Sequence, residues 1–156
     1  MDIDSFIETR FAGRVTDRTR KVFDLACRLA AVSVPRVVDT NYLLIGSFQE
    51  GNGVAFHVLS NFDVSEQALK SACGLVIQPN EDSITTKECA DEVGLAFDAA
   101  ADSLRLLGHN YLGTEHLLIG LTIKGLKSSQ TLEGLGLDPQ FVRKEVFSLL
   151  GYEKLA

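Results

Sequence analysis

The stretch Thr-Asn-Tyr-Leu-Leu-Ile-Gly at residues 40–46 returns as Thr-Glu-His-Leu-Leu-Ile-Gly at residues 114–120, with five of the seven positions identical. The same offset of 74 residues pairs Phe23-Asp24 with Phe97-Asp98, Ala26 with Ala100, and Gly51 with Gly125. After a deletion of one residue in the second copy, an offset of 73 pairs Leu59 with Leu132 and Gln67 with Gln140. A register held over this span indicates an internal duplication. Two copies with so long a period predict two helical subdomains packed about a pseudo-twofold axis.

The first copy has the pattern of helices joined by short turns. Apolar residues recur at i, i+3, i+4 and i+7 from Val22 to Leu29, which predicts an amphipathic helix over about residues 17–32. Asp39-Thr40 places short oxygen side chains ahead of an apolar run, as helix N-cap residues do. Beyond a Gly-rich turn, further short helices are expected over residues 54–61 and, capped by Ser65, over residues 66–73.

The second copy repeats this plan. Thr85 and Glu88, three residues apart, fit a capping box for a helix that reaches about Leu107. Thr114 is expected to cap a helix over residues 115–123, and Asp138-Pro139 to open one over residues 140–150. No stretch shows sustained period-two alternation, so the predicted fold is all-α.

The duplication also predicts how the chain is organised. We expect a single globular domain over residues 1–156, built of two repeats of about four helices each. The first repeat should cover about residues 11–75, a linker about residues 76–84, and the second repeat about residues 85–152.

Composition excludes several classes of protein. Hydrophobic residues make up 46% and charged residues 23% of the chain, enough to bury a core and too apolar for a disordered chain. No apolar run is long enough to span a membrane, and the first residues are acidic where a signal peptide is basic, so we expect a cytoplasmic protein. The three widely spaced cysteines fit neither a disulfide framework nor a zinc motif, and are expected to pack in the core.

One segment of the second copy points to a known family. Leu107-Gly-His-Asn-Tyr-Leu-Gly-Thr-Glu-His-Leu-Leu-Ile-Gly-Leu121 follows an Ala-rich helix and precedes a turn and two more helices. With Val15-Thr16-Asp17-Arg18 near the start of the chain, it resembles the duplicated N-terminal domain of Clp ATPases, most closely the ClpC type. The resemblance runs from about Phe11 to Tyr152. It implies a domain without catalytic residues or cofactors, which docks adaptor proteins and protein substrates for an ATP-driven unfoldase.

The resemblance also implies two related pockets for phosphorylated arginine. In that family a Glu carboxylate meets the guanidinium, while a Thr hydroxyl and a helix N-terminus meet the phosphate. Carried onto this sequence, one pocket keeps Thr16 but has Asn41 in place of the carboxylate, and the other keeps Glu115 but has Ala90 in place of the hydroxyl. Each pocket would then lack one anchor, which favours docking of protein surfaces over capture of a modified arginine. Capping alone would account for Thr16, Thr40 and Thr114.

Aromatic residues supply further candidates for a partner surface. Phe48 and Phe56 flank the turn at residues 50–53, where the resemblance places a groove for adaptors. Phe6, Ile7 and Phe11 precede the first repeat, and we expect them to pack across the junction of the repeats rather than to bind a partner. The chain could be a free-standing regulator of a Clp unfoldase or a part of a longer ATPase, and its oligomeric state is open.

Other function classes have weaker support. Basic residues between Arg10 and Lys21 could imitate a helix-turn-helix, but the net charge of −6 argues against nucleic-acid binding. His109, Glu115 and His116 match no metal-binding motif, and no motif supplies a nucleophile with a base, so neither a metal nor a hydrolase activity is expected.

Overall fold

The computed structural model of the chain describes residues 1–79, 86–152 and 154. Within these residues it contains helices and isolated β-bridges but no strand, as the all-α prediction requires. The helices are α1 (Ile3–Phe11), α2 (Asp17–Ala31), α3 (Thr40–Gln49), α4 (Val54–Asn61), α5 (Glu66–Cys73), α6 (Glu92–Leu107), α7 (Thr114–Leu121), α8 (Lys127–Gly134) and α9 (Pro139–Leu149). None of these described helices is long and apolar enough to cross a membrane.

The two copies pack as a pseudo-symmetric pair. Helices α2–α5 and α6–α9 correspond in order, and α2 crosses α3 as α6 crosses α7. Contacts between the copies also come in matching pairs, because α3 packs on α8 as α7 packs on α4, and α4 packs on α9 as α8 packs on α5. Buried apolar side chains from both copies form one continuous core. The exact limits of the linker at residues 76–84 stay a prediction, since residues 80–85 lie outside the described part.

A glycine marks the same helix crossing in each copy. A Cβ on Gly46 of α3 would lie 2.7 Å from the carbonyl oxygen of Val22, and a Cβ on Gly120 of α7 would overlap the carbonyl oxygen of Ala96. Both glycines and both carbonyls are related by the offset of 74 residues. Because these backbones touch, neither crossing has room for a side chain, which explains why glycine closes both copies of the repeated heptapeptide.

Helix α1 lies outside the duplication and packs across it. Phe6, Ile7 and Phe11 are buried, which confirms the expectation that they pack in the protein rather than present an anchor to a partner. Their centre is Phe97 of α6, whose ring centroid lies 5.5 Å from that of Phe6 and 6.1 Å from that of Phe11, both edge-on. Asp2 caps α1 through the amide of Ser5, so the leading segment is an ordered part of the domain.

The predicted start of the long helix in the second copy is wrong. Thr85 lies outside the described residues, and α6 begins only at Glu92. Residues 86–90 are extended because their backbone groups bind neighbouring chain segments: Lys87 accepts from the amide of Ile3, and Ala90 donates to the carbonyl of Val38. Glu88, expected in a capping box, instead binds the N-terminal ammonium group at 2.7 Å.

The expected caps are partly confirmed in each copy, and in the first copy Thr40 is the first residue of α3 rather than its N-cap. Thr16 caps α2 through the amide of Thr19, and Asp39 caps α3 through the amides of Asn41 and Tyr42. In the second copy Asp138 caps α9 as expected, but Thr114 is the first residue of α7 rather than its N-cap, and α7 ends at Leu121 rather than Ile123.

The cysteines behave as core residues. Cys27 and Cys89 are buried and Cys73 is half-buried, and all three are free thiols. Burial raises the thiol pKa to about 11 in Cys27 and Cys73 and to about 12 in Cys89, so the thiolate form is rare at neutral pH.

Candidate functional site

Three helix N-termini meet at one pocket between the two copies. The start of α2 contributes Thr16, Asp17 and Arg18, the start of α4 contributes Gly53 and Val54, and the start of α7 contributes Gly113, Thr114 and Glu115. We call this cavity of about 410 Å³ pocket A. Because the first amide groups of each helix point out of its N-terminus, the three helix dipoles converge on the same space.

The turns around pocket A hold the helix ends in place. The carboxylate of Glu50, itself buried, accepts hydrogen bonds from the amides of Asn52 and Gly53. The hydroxyl of Thr114 accepts from the amide of Ala55 at 3.4 Å. A Cβ on Gly53 would lie 2.5 Å from that hydroxyl oxygen, so only glycine leaves room for this approach of α4 and α7.

Two helix-end amides in pocket A have no acceptor in the part of the chain that the structure describes. Among the described residues, the amides of Val54 and Thr114, the first residues of α4 and α7, have no hydrogen-bond acceptor. Neither Gly53 nor Gly113, the N-cap residues of these helices, has a side chain that could cap them. Free amides at converging N-termini favour an anion, because its oxygens can accept those hydrogen bonds and its charge opposes the dipoles.

A carboxylate stands beside these donors. Glu115 is half-buried in the wall of pocket A, and its carboxylate lies against the α-carbon of Gly113, where a Cβ would overlap it. Pocket A therefore combines helix ends that favour an anion with two carboxylates that favour a cation, Glu115 in its wall and the exposed Asp17 at the start of α2. A guanidinium pairs with a carboxylate through two parallel hydrogen bonds, which makes it the best-fitting cation for Glu115.

A buried histidine fixes the turn that carries Glu115. The Nδ1 atom of His116 accepts from the amide of Gly113 at 2.8 Å, and its Nε2 atom lies 2.8 Å from Nδ1 of His109. Burial, followed by the neighbouring His109, lowers the pKa of His116 to about 4. His116 is therefore neutral at pH 7 and donates from Nε2 to His109.

These histidines are poorly placed for a metal ion. One ligand atom from each of His109, Glu115 and His116 lies within 4.8 Å of the others. Both ring nitrogens of His116 already form hydrogen bonds, so an ion would have to displace one of them. We keep the expectation from the sequence that no metal binds here.

The equivalent place in the other half of the molecule is filled by the protein itself. We call it pocket B, the region around the N-termini of α3 and α8. One carboxylate oxygen of Glu92 accepts from the amide of Thr40 at 3.1 Å and from its hydroxyl at 2.7 Å. The other accepts from the amide of Lys127 at 3.1 Å. Asp39 caps α3 and pairs with the ammonium group of Lys127 at 3.3 Å. These helix-end donors are thus satisfied internally.

The four site residues expected from the sequence are paired differently from the expectation. Thr16 and Glu115 line the same pocket, whereas Thr16 was expected opposite Asn41. The buried side chain of Asn41 instead accepts a hydrogen bond from Thr131 at 2.7 Å, and Ala90 lies beside Val38. Pocket A therefore contains both of the retained residues, Thr16 and Glu115, while the substituted positions, Asn41 and Ala90, lie in the other half of the molecule.

The cause of this exchange is a pair of crossed β-bridges. Val15, just before α2, pairs with Leu112, just before α7, and Val38, just before α3, pairs with Cys89, just before α6. The offset of 74 residues relates the two bridges to each other. Each bridge sets the first helix of one copy against the second helix of the other, which separates Thr16 from Asn41.

The two candidate residues for a partner surface form an aromatic pair. The ring centroids of Phe48 and Phe56 lie 5.1 Å apart with the ring planes at 56°. Both side chains are half-buried and pack on the edge of the core. Their role in binding a partner stays a prediction.

Comparison with known proteins identifies the family. Residues 14–135 match the family described as the Clp repeat (R) N-terminal domain. The chain belongs to this family. A probable ATP-dependent Clp protease ATP-binding subunit of Chlamydia pneumoniae is 35% identical to this Clp repeat domain over 144 residues. ClpC/MecB of Bacillus subtilis (strain 168), a negative regulator of genetic competence, is 29% identical over 140 residues.

The lengths of these relatives differ greatly from that of this chain. The alignments cover 88% and 89% of the chain but only 17% of each relative, so the chain spans about one sixth of their length. Among solved structures, the N-terminal domain of ClpD from Arabidopsis thaliana gives a TM-score of 0.68 at 18% identity, and covers 89% of this chain and 96% of that domain. That similarity supports the all-α fold of a Clp repeat domain.

Proposed function

We propose that this Clp repeat domain is a non-enzymatic, cytoplasmic module that docks adaptors or protein substrates for ATP-dependent unfolding and proteolysis. We further propose that pocket A binds a phosphorylated arginine side chain of such a protein. The observation that carries the second proposal is the convergence of three helix N-termini, with the free amides of Val54 and Thr114, beside the carboxylate of Glu115.

The combination of charges selects among ligands. A phosphorylated serine would satisfy the helix amides but bring its negative charge close to Glu115. An unmodified arginine would pair with Glu115 but leave the free amides without an acceptor. A phosphorylated arginine carries a planar guanidinium and a phosphate on one side chain, so each group finds its complement in pocket A.

Thr16 has two roles in this proposal. Its hydroxyl caps α2 by accepting from the amide of Thr19 at 3.2 Å, and it stays half-exposed at the pocket wall. The hydroxyl oxygens of Thr16 and Thr19 also lie 2.8 Å apart. When Thr19 donates in that bond, the hydroxyl proton of Thr16 can be donated to a phosphate oxygen. The cap alone would explain a threonine at this position, so a test has to separate stability from binding.

Titration of the 156-residue chain with free phosphoarginine tests the proposal. We expect binding by the wild type and at least a tenfold loss in Glu115→Gln, since charge-assisted hydrogen bonds contribute roughly 1.5–3 kcal/mol. Glu133→Gln, which removes an exposed carboxylate on α8, is the matched control and should bind as the wild type does. Arginine and phosphoserine serve as ligand controls. Equal binding by Glu115→Gln and the wild type would refute the assignment of this pocket.

Two variants of Thr16 separate its roles. Thr16→Val removes the cap and the proposed contact with phosphate, whereas Thr16→Ser retains both. We expect both binding and thermal stability to fall in the first variant and to stay close to wild type in the second. A Thr16→Val protein that is destabilised but binds normally would show that this hydroxyl is only a cap.

A further inference from the structure

Arg18 and Glu92 occupy equivalent positions with opposite charge. They are separated by the repeat offset of 74 residues, and each lies in the first turn of the first helix of its copy. Glu92 reaches the amides of Thr40 and Lys127 in pocket B, and Arg18 lines pocket A. The equivalent amides in pocket A belong to Thr114 and Val54, which have no acceptor among the described residues.

A second exchange accompanies the first. Asp39, the N-cap residue of α3 in pocket B, corresponds to Gly113, the N-cap residue of α7 in pocket A. Pocket B therefore supplies two carboxylates to its helix ends, and pocket A supplies a glycine and a guanidinium at the same places. In pocket B, the carboxylate of Glu92 occupies the position at the helix N-termini where an external anion would bind in pocket A.

We propose that Arg18 is a specificity-determining residue that directs an external phosphate into pocket A, while Glu92 takes the corresponding place in pocket B. The chain then binds one phosphorylated side chain, not two. This inference rests on the function proposed above and adds to it the phosphate-binding residue and the number of ligands.

The surroundings of Arg18 support this role. Its side chain is exposed, and no carboxylate among the described residues lies within ion-pair distance of it. Arg10, by contrast, is bound to Asp98 at 2.7 Å, and Arg20 donates to the carbonyl of Gly13 at 2.8 Å. A guanidinium at the mouth of an anion pocket offers two parallel donors to a phosphate.

Reversing the charge of Arg18 provides a direct test. Arg18→Glu recreates in pocket A the residue found in pocket B, so its carboxylate should accept from the amides of Val54 and Thr114. We expect phosphoarginine binding to fall at least tenfold and the melting temperature to rise by roughly 2–4 °C. Arg14→Glu makes the same change of charge at an exposed residue outside the lining of pocket A, and should do neither.

The reverse experiment examines pocket B. Glu92→Gln should lower the melting temperature by roughly 4 °C or more, because the charge that accepts three donors is lost, whereas Glu133→Gln should change it little. In NMR titrations of the wild type, phosphoarginine should shift the amide signals of Val54 and Thr114 and leave those of Thr40 and Lys127 unchanged.

The outcomes separate the two proposals. Absence of any binding to the wild type would refute the phosphoarginine pocket, while the melting temperatures of Arg18→Glu and Glu92→Gln would still decide whether charge governs occupancy of the helix ends. Shifts in both sets of amides would refute the single-ligand inference and leave pocket A intact. Normal binding by Arg18→Glu, or a melting temperature no higher than that of Arg14→Glu, would overturn the role of Arg18.

Discussion

The hydroxyl of Thr40 in the first copy accepts a hydrogen bond from the amide of Ser128 in the second, at 3.0 Å. In the pseudo-equivalent bond the copies are exchanged: the amide of Ala55 in the first copy donates to the hydroxyl of Thr114 in the second. Each threonine thus caps a helix of the opposite copy, although both had been expected to cap their own helices. The two repeats are therefore joined by polar contacts at both ends of their interface, in addition to the shared core.

Loss of the Thr40 hydroxyl should weaken this junction. Thr40 is fully buried and its hydroxyl also donates to Glu92, so Thr40→Val would leave the amide of Ser128 without an acceptor and remove one of the donors to the carboxylate of Glu92. We expect a loss of about 2 kcal/mol in the free energy of unfolding, measured by urea denaturation. Thr40→Ser retains the hydroxyl and should recover more than half of that loss. Equal stability of Thr40→Val and the wild type would contradict the cross-capping role.

A methyl group at the helix crossing should be poorly tolerated. Gly120→Ala would drive a Cβ into the backbone carbonyl of Ala96, and we expect destabilisation of about 3 kcal/mol as α7 is pushed from α6. Gly134→Ala is the matched control, because it lies in α8 with no atom within 4 Å of the added Cβ. That variant should be neutral or stabilised by up to about 1 kcal/mol. Thermal unfolding of both variants checks the comparison, and similar effects would argue against a tight crossing.

Helix α1 should contribute to stability although it precedes the residues that match the family. Phe6 is buried against Phe97, so Phe6→Ala should cost about 3 kcal/mol in the free energy of unfolding. Phe141→Ala removes the same side chain from a site on α9 where 60% of it is exposed, and should change stability by less than about 0.5 kcal/mol. A small effect of Phe6→Ala would mean that α1 adds little to the domain.

The stability of the domain should depend on pH through His116. Its folded pKa of about 4 lies below the ordinary value of 6.5, so the unfolded chain binds a proton more readily than the folded one. This contribution is fully present above pH 6.5 and is lost as the pH falls from 6.5 to 4. The loss should amount to roughly 3 kcal/mol over that range.

Two histidine variants isolate this effect. His116→Gln keeps an acceptor for the amide of Gly113 but has no proton to bind, so its stability should vary less with pH over the same range. The exposed His57 provides the control, and His57→Gln should retain the full dependence of the wild type. Urea denaturation between pH 4 and pH 7.5 measures all three proteins. An unchanged slope in His116→Gln would assign the effect to other groups.

The local pattern of the sequence predicted most of the helices. Apolar spacing and N-cap residues placed α2, α3, α4, α5 and α9 to within one or two residues, because these signals act within a single turn or along one helix face. Helix α1 was not predicted from the sequence. It also failed at residues 86–90, where contacts with Ile3 and Val38 decide the conformation. Such pairings join distant parts of the chain and leave no periodic signal.

The candidate site was predicted by residue but not by arrangement. Thr16 and Glu115 were both chosen, yet their meeting in one pocket depends on the crossed bridges of Val15 and Val38, which no local pattern encodes. The contacts of Glu92 with the helix ends, and the opposite charge of Arg18 at the equivalent place, were not predicted. A signal for them was present, because aligning the two copies at the offset of 74 sets a basic residue against an acidic one at the same helix position.

Because the bridges are crossed, neither copy forms a pocket alone: pocket A and pocket B are each bounded by helix ends from both copies. The side chains at pocket A can therefore differ from their counterparts at pocket B, although the two bridges that frame them are alike. A substitution at one pocket changes its own helix ends without altering those of the other, as the opposite charges of Arg18 and Glu92 illustrate.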